Sequence, residues 1–267
     1  MASGVLNLLR GVRDLLYPPK CSVCRELLPW RVPTARPYAA EALCKRCLSL
    51  WEEATEEKCS ICGSAVRECL CMPSLIKDAK CSAFCKAVYY VPHEGNPVQN
   101  RLVYHIKDHN DSKAFRFLAA QLVPEVSRLL DAEGITREEC LITYAPRGRR
   151  AYIETGVDQS KALARCLGIL LDMKCKALIG RDPKSNTPQK TLTPAERQRN
   201  AQKAFFPLTR ERVCLGKTVL LVDDVMTTGA SMARCARLLR KMGALRVYCV
   251  CVAADRVNRD DCVRSDG

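Results

Sequence analysis

The stretch that decides the fold is VLLVDDVMTTGAS, residues 219–231. Its apolar start predicts a buried strand, and Asp223 and Asp224 follow at the carboxyl end, where open α/β sheets bind ligands. Adjacent carboxylates repel each other and lie against a sheet of low dielectric constant, so they need hydroxyl donors, a cation or solvent. The sequence therefore predicts a ligand site here.

The small residues that come next predict a loop leading into a helix; they are Thr227, Thr228, Gly229, Ala230 and Ser231. Backbone N–H groups at a helix start, with threonine and serine hydroxyls, bind phosphate, and glycine permits the tight turn that exposes them. The acid pair and this loop are separated by about the span of a ribose 5-phosphate. We expect the ribose hydroxyls, with Mg²⁺ nearby, to meet the carboxylates.

The whole segment resembles the 5-phosphoribosyl-1-diphosphate (PRPP) loop of the type I phosphoribosyltransferases, in which a hydrophobic strand precedes two acids, TTG and a small hydroxyl residue. A lone acid pair or a lone TTG would be weak evidence, whereas the combination is specific. The resemblance implies Asp223 and Asp224 as the catalytic pair and PRPP binding by these two residues together with Thr227, Thr228, Gly229, Ala230 and Ser231.

Hydrophobic periodicity indicates the rest of this domain. Strands are predicted at 86–91, 140–144, 218–222 and 247–253, and helices at 113–130, 159–171 and 232–242. Their alternation predicts an α/β fold for residues 86–267: a parallel sheet flanked by helices, similar to that of the type I phosphoribosyltransferases. The polar, proline-containing stretch at 181–199 predicts a long loop, and loops of this length in compact domains are usually functional or disordered.

Residues 1–85 predict a separate, cysteine-rich module that follows an amphipathic helix at 5–17. Ten of the 18 cysteines lie between Cys21 and Cys85, mostly as pairs. Two-residue spacing lets both sulfurs of a turn reach one tetrahedral zinc ion, so a zinc-ribbon-like module with one or two structural zinc ions is expected. One grouping has one zinc ion bound by Cys21, Cys24, Cys44 and Cys47 and a second bound by Cys59, Cys62, Cys69 and Cys71. Spacing alone equally allows an interleaved grouping.

The CxxC pairs, together with the character of the leading helix, predict a reducing compartment. Cys81 and Cys85 are either core residues or ligands, while Cys249 and Cys251 lie in an apolar run typical of buried strands. The helix at 5–17 is interrupted by charges and does not read as a signal peptide, and no stretch approaches the length of a membrane span. We expect a cytoplasmic protein with metal-bound thiolates.

The formal net charge is +14. Lysine and arginine exceed aspartate and glutamate by 12 to 9 up to Cys85, which leaves a surplus of +11 for residues 86–267. The expected partner is therefore an anion, either a phosphorylated small molecule or a nucleic acid.

Cysteine pairs followed by a PRPP loop resemble the ComF family of competence-associated, phosphoribosyltransferase-like proteins. Weaker matches are YPPKCSVC at 17–24, YHIKDHND at 104–111 and TPQKTLTPAERQRNAQKAF at 187–205. The resemblance and the charge favour three cations as contacts for diphosphate or another anion, against a plain surface role: Lys107, Arg147 and Arg197. Relatives carry Arg-Gly-Phe-Asn-Gln where this chain has TGVDQ at 155–159.

Two functions follow from this resemblance. The first is an enzyme that transfers the phosphoribosyl group of PRPP, with Mg²⁺, to an acceptor that the sequence does not identify. The second is a non-catalytic protein that senses PRPP or binds single-stranded DNA, with the competence machinery as partner; self-association is open in both.

Overall fold

The computed structural model describes residues 18–29, 42–91, 95–183, 204–209, 212–257 and 262–263. The helices there are α1 (Lys45–Thr55), α2 (Ser74–Asp78), α3 (Val98–Asp108), α4 (Ser112–Ala132), α5 (Arg149–Thr155), α6 (Gln159–Leu171) and α7 (Ala230–Lys241). The strands are β1 (Met72–Pro73), β2 (Ala83–Tyr89), β3 (Cys140–Tyr144), β4 (Ile179–Arg181), β5 (Phe205–Pro207), β6 (Thr218–Met226), β7 (Arg246–Ala254) and β8 (Cys262–Val263).

A four-stranded sheet in the order β2-β7-β6-β3 forms the centre, and each neighbouring pair is parallel. This confirms the predicted α/β fold with a parallel sheet. Parallel strands that run in one direction bring their carboxyl ends to one edge, here marked by Tyr89, Tyr144, Met226 and Ala254. The candidate site lies at that edge.

The sheet is buried on both faces because side chains along a strand alternate. In β6, Leu220 and Val222 belong to the hydrophobic cluster that also contains residues of α4 and α6. Val219 and Leu221 belong to the opposite cluster, together with residues of α2 and α7. Four consecutive apolar residues are thus all core, as expected for a parallel strand between two layers of helices.

Most of the predicted elements are confirmed. The strand at 140–144 and the helix at 159–171 agree with β3 and α6 at both ends, whereas β6 continues four residues past the predicted end at 222. The buried Cys249 and Cys251 confirm the interpretation of that run as a core strand. The sequence did not indicate the antiparallel pairing of β4 with β5 or the elements α1, α2, α3, α5, β1 and β8. The predicted helix at 5–17 lies outside the described residues.

The cysteine-rich segment shares a core with the sheet. Trp51 of α1 is fully buried, meets Phe117 of α4 edge to face at 5.3 Å, and donates from Nε1 to Gln121 Oε1 at 3.2 Å. Strand β2 begins at Ala83 and so spans the predicted boundary between residues 85 and 86. The division into two domains stays a prediction.

Among the helices that the structure describes, none is long and apolar enough to cross a membrane.

Candidate functional site at the carboxyl edge of the sheet

The acid pair lies within the last part of β6. Asp223 and Asp224 are both half-buried, and Asp223 is aligned with Cys251 of the adjacent β7. Pairing continues to Met226 opposite Ala254, which explains why the strand does not stop at the acids. Among the described residues neither carboxylate has an ion-pair partner.

Asp223 is held by two hydrogen bonds. Ser160 in the first turn of α6 donates its hydroxyl to Asp223 Oδ1 at 2.7 Å, and the Asp224 amide donates to the same oxygen at 3.0 Å. Burial and the Asp224 carboxylate nevertheless raise the pKa of Asp223 well above its ordinary value, against these two hydrogen bonds. The site therefore favours a ligand that brings hydroxyl donors or positive charge.

Two further carboxylates lie at this edge. Asp158 caps the N-terminus of α6 by accepting from the Lys161 amide at 3.0 Å. Burial raises the pKa of Asp158, and the charge of nearby Asp224 adds to the rise. Asp255 follows β7 directly, and its Oδ1 is buried without a hydrogen-bond partner in the described part of the chain. Carboxylate oxygens of this kind suit a hard divalent cation such as Mg²⁺.

The phosphate-binding loop that the sequence predicts leads directly into α7. Thr227, Thr228, Ala230 and Ser231 are exposed, and the helix begins at Ala230, two residues earlier than expected. The N-cap Gly229 offers no side chain, the Thr228 hydroxyl accepts from the Ala230 amide at 3.4 Å, and the first turn contains no acidic residue. The amides that follow Ala230 in the first turn therefore retain the capacity to bind an anion, and the Ala230 amide would exchange a long bond to Thr228 for one to the ligand.

Gly229 is the N-cap of α7 and has a φ of 75°. A Cβ at this position would lie 3.2 Å from Cδ1 and Cγ1 of Ile76 in α2. Glycine is required here for its backbone conformation and for this close approach, as predicted for the turn.

We expect Gly229→Ala to destabilise the fold by about 1–3 kcal/mol, because the left-handed conformation costs an L-residue about 1–2 kcal/mol and Ile76 must also shift. Urea unfolding measures the loss. Gly216→Ala is the matched control, since Gly216 has a φ of 71° and open space around its Cβ position. Equal losses in the two variants would contradict the contribution of Ile76.

The three predicted anion contacts differ in their surroundings. Lys107 is half-buried at the end of α3, with Nζ 5.6 Å from the centre of the Tyr104 ring. Gln159 Nε2 donates to the Lys107 carbonyl at 3.1 Å, which brings the end of α3 to the start of α6. Arg197 lies outside the described residues.

The Arg147 side chain is hydrogen-bonded to residues 155–159. Its guanidinium donates to the Val157 carbonyl and the Thr155 hydroxyl, both at 3.3 Å, and to Gln159 Oε1. It would have to exchange these bonds to reach an anion. The role of each of the three cations stays a prediction.

Sequence reasoning missed Ser160 and Asp255. Asp255 had a readable signal, because it follows a buried strand as Asp223 does. Ser160 had none, since its bond to Asp223 joins residues 63 positions apart.

The eight predicted cysteine ligands form two groups that could bind metal ions such as zinc. They are Cys21, Cys24, Cys44 and Cys47, here the first tetrad, and Cys59, Cys62, Cys69 and Cys71, here the second tetrad. Within each tetrad the sulfur atoms lie within 4.8 Å of one another. Tetrahedral zinc with Zn–S bonds of about 2.3 Å needs sulfurs about 3.8 Å apart, so four thiols at this spacing fit the ion.

The two tetrads open with the same turn. The Arg25 amide donates to the Cys21 carbonyl at 3.0 Å, and the Gly63 amide donates to the Cys59 carbonyl at 2.9 Å. Arg25 and Gly63 have positive φ values, 66° and 75°. The shared turn brings together the two sulfurs of Cys21 and Cys24 and, in the same way, those of Cys59 and Cys62.

Cys81 and Cys85 belong to neither tetrad. Both are buried, and Cys81 lies against Cys249 with 3.4 Å between the sulfurs. They are core residues, one of the two roles that the sequence left open.

Comparison with known proteins agrees with this geometry. The profile of the phosphoribosyl transferase domain matches residues 156–263. The DNA utilization protein YhgH of Salmonella typhimurium is 28% identical over 210 residues, which cover 72% of this chain and 89% of that protein. Competence protein F of Haemophilus influenzae is 32% identical over 88 residues, or 33% of this chain and 38% of that protein.

A solved structure of the allosteric regulatory enzyme of purine biosynthesis aligns with 57% of this chain and 30% of its own, at 17% identity and a TM-score of 0.37.

Proposed function

The chain is a ComF-like protein with a phosphoribosyl transferase domain, and from this premise we propose that the carboxyl edge of its sheet binds PRPP together with Mg²⁺. One observation carries the proposal: the Asp223 and Asp224 carboxylates, which have no ion-pair partner among the described residues, lie beside a helix start with a glycine N-cap and no acidic residue in its first turn. The ribose hydroxyls donate to Asp223 and Asp224, and the 5-phosphate accepts from the amides of residues 228–231.

Mg²⁺ supplies charge neutralisation between the acidic edge and the diphosphate of PRPP. Asp158, Asp224 and Asp255 are the carboxylates available to hold it directly or through water. The direct test is calorimetric titration of PRPP into the metal-loaded protein with and without Mg²⁺. Absence of binding in both titrations would overturn the proposal.

The proposed chemistry is transfer of the phosphoribosyl group to an acceptor. The protein holds the sugar phosphate while the bond from ribose C1 to diphosphate breaks and the acceptor bonds to C1. Release of diphosphate from PRPP in the presence of bases or amines measures this activity. If PRPP binds but no acceptor causes release of diphosphate, the protein would instead be a PRPP sensor.

Binding of single-stranded DNA is the second candidate. The names of the relatives refer to DNA utilization and competence, and residues 86–267 carry the basic surplus. The test is oligonucleotide binding at several salt concentrations, because contacts with phosphates weaken as salt rises. No binding at low salt would exclude this candidate.

We further propose that each cysteine tetrad holds one zinc ion with a structural role, and that the protein works in the reducing cytoplasm.

The hydroxyl of Ser160 is expected to tune PRPP binding. Ser160→Ala removes the donor to Asp223 Oδ1, so the pKa of Asp223 rises further and a higher pH is needed to ionise the carboxylate. We expect affinity to fall about tenfold at pH 7, as for the loss of one hydrogen bond to a charged group, and the deficit to shrink as pH rises.

Affinity measured across pH checks this expectation. Ser49→Ala is the control, because Ser49 also bonds to a carboxylate, that of Glu53, but on α1. A loss in Ser160→Ala that does not vary with pH would show that the hydroxyl acts through packing alone.

A further inference from the structure

Lys86 is a buried cation at the second tetrad. It lies in β2 and is 2% exposed. Its Nζ donates to the Cys69 carbonyl at 2.7 Å and to the Cys71 carbonyl at 3.5 Å, and it lies 4.9 Å from the centre of the Phe84 ring. The ammonium is therefore fixed against the backbone of two of the four cysteines.

This ammonium has no counter-charge in the described part of the chain. None of the ion pairs there includes Lys86. The nearly buried Glu125 carboxylate bonds instead to Arg128, with 3.0 Å between Arg128 Nε and Glu125 Oε2. A buried charge without an opposite charge is strongly unfavourable, and carbonyl oxygens compensate it only in part.

A metal tetrathiolate would supply the missing charge. Four thiolates and one divalent ion carry a net charge of about −2. Lys86 also lines a cavity of about 30 Å³ together with Cys59 and Cys71. Lys58 and Arg256 line the same cavity, but Lys58 is exposed and Arg256 pairs with Glu57, with 3.1 Å between Arg256 Nε and Glu57 Oε1, so Lys86 is the buried cation of this lining.

The first tetrad has different surroundings. Cys24 Sγ lies 3.8 Å from Glu26 Oε2, an oxygen that carries negative charge. The Arg101 guanidinium donates to the Val23 carbonyl at 2.9 Å, but Arg101 is exposed. Within the described ranges, a buried ammonium therefore lies at the second tetrad and not at the first.

We propose that Lys86 is the built-in counterion of a dianionic zinc tetrathiolate at Cys59, Cys62, Cys69 and Cys71. It acts as a positioning residue, outside the ligand shell. Bound metal and buried lysine stabilise each other, so the metal-free protein retains an uncompensated buried charge. The inference rests on zinc in this tetrad and is independent of PRPP binding.

The test compares full-length protein with Lys86→Met and Lys86→Gln. Each sample is dialysed against a series of zinc chelators of graded affinity, and zinc per chain is measured by elemental analysis. Alkylation of freed thiols followed by peptide mass spectrometry identifies the tetrad that lost its ion. We expect zinc affinity to fall 10- to 100-fold at the second tetrad in both variants and to stay unchanged at the first.

Lys58→Met is the matched control, because Lys58 borders the same cavity but is exposed. Its effect should not exceed about fivefold, as for other exposed charges. Wild-type affinity in Lys86→Gln would show that hydrogen bonding, without charge, is sufficient, and would overturn the proposal.

Thermal unfolding separates a charge effect from simple misfolding. The proposal expects metal-free Lys86→Met to melt no lower than the metal-free wild type, and zinc to raise its melting temperature less. Lower melting in both states, with zinc retained, would overturn the proposal. If neither neutral variant folds, Lys86→Arg is tested in their place. A folded, zinc-loaded Lys86→Arg protein supports the need for positive charge, whereas a Lys86→Arg protein that also does not fold indicates that Lys86 acts through packing alone and would overturn the proposal.

Discussion

The double variant Asp223→Asn with Asp224→Asn is expected to lose PRPP binding by at least about 100-fold. A hydrogen bond to a charged group contributes about 1.5–3 kcal/mol, so two carboxylates that lose their charge together account for at least two orders of magnitude. Calorimetric titration with Mg²⁺ measures the loss. Affinity for single-stranded oligonucleotides should stay the same or rise, because negative charge is removed.

Asp172→Asn is the matched control for the acid pair. Asp172 is exposed, lies at the opposite end of α6 from Ser160, and has a left-handed backbone that asparagine also adopts. The same loss of charge at this position should leave PRPP binding unchanged. Loss of PRPP and oligonucleotide binding together in a folded double variant would indicate one shared site.

The pKa of Asp223 adds a stability signature to this experiment. Since burial raises that pKa, the folded state binds the proton more tightly than the unfolded chain does. The resulting stabilisation is complete below the unfolded pKa of about 3.9 and is lost as pH rises through the raised folded pKa. Asp223→Asn should therefore raise the melting temperature of ligand-free protein relative to wild type increasingly as pH rises through the folded pKa, and a difference that does not grow with pH would contradict this electrostatic account.

Local sequence predicted the elements that local physics determines. Asp158 caps α6 and apolar residues recur along it, so both of its ends were readable from the chain. The end of β6 was not, because the last four residues are held in the strand by pairing with β7 as far as Met226 and Ala254. Such pairing depends on a partner that the segment itself does not reveal.

The candidate site divides in the same way. Asp223, Asp224 and the loop through Ser231 form one continuous motif, so their proximity follows from the sequence. The donor to Asp223 and the carbonyls around Lys86 come from distant segments, and no periodicity indicates them. Spacing also left the cysteine grouping open, because each CxxC turn offers the same two sulfurs whichever partner it meets.

Removal of zinc is expected to have the largest effect on stability. Structural zinc sites contribute about 10–16 kcal/mol of apparent binding free energy, and loss of even about 5 kcal/mol lowers the melting temperature of a chain of this size by about 10–20 °C. We expect a strong chelator to lower the melting temperature by at least 10 °C. Cys47→Ser and Cys69→Ser should each reproduce part of the loss, with one zinc ion fewer per chain.

Trp51 fluorescence reports whether loss of zinc loosens the packing of α1 against α4. It lies one helical turn after Cys47 in α1, is fully buried, and packs on Phe117 of α4. Trp30 is the other of the two tryptophans, so it is replaced by phenylalanine to leave Trp51 as the fluorophore. In this Trp30→Phe background, Trp51 fluorescence emission should shift to longer wavelength when the first tetrad loses its metal. Cys166→Ser is the control, because Cys166 is a half-buried residue of α6 outside both tetrads.

The same treatment should weaken PRPP binding indirectly. Ile76, which packs against the Gly229 turn of the predicted phosphate-binding loop, lies in α2 soon after the second tetrad ends at Cys71. Release of that tetrad should loosen the support of the loop while Asp223 keeps its bond to Ser160. We therefore expect Cys69→Ser to lower PRPP affinity less than the double aspartate variant does. Unchanged melting and unchanged Trp51 emission after chelation would contradict a structural metal in either tetrad.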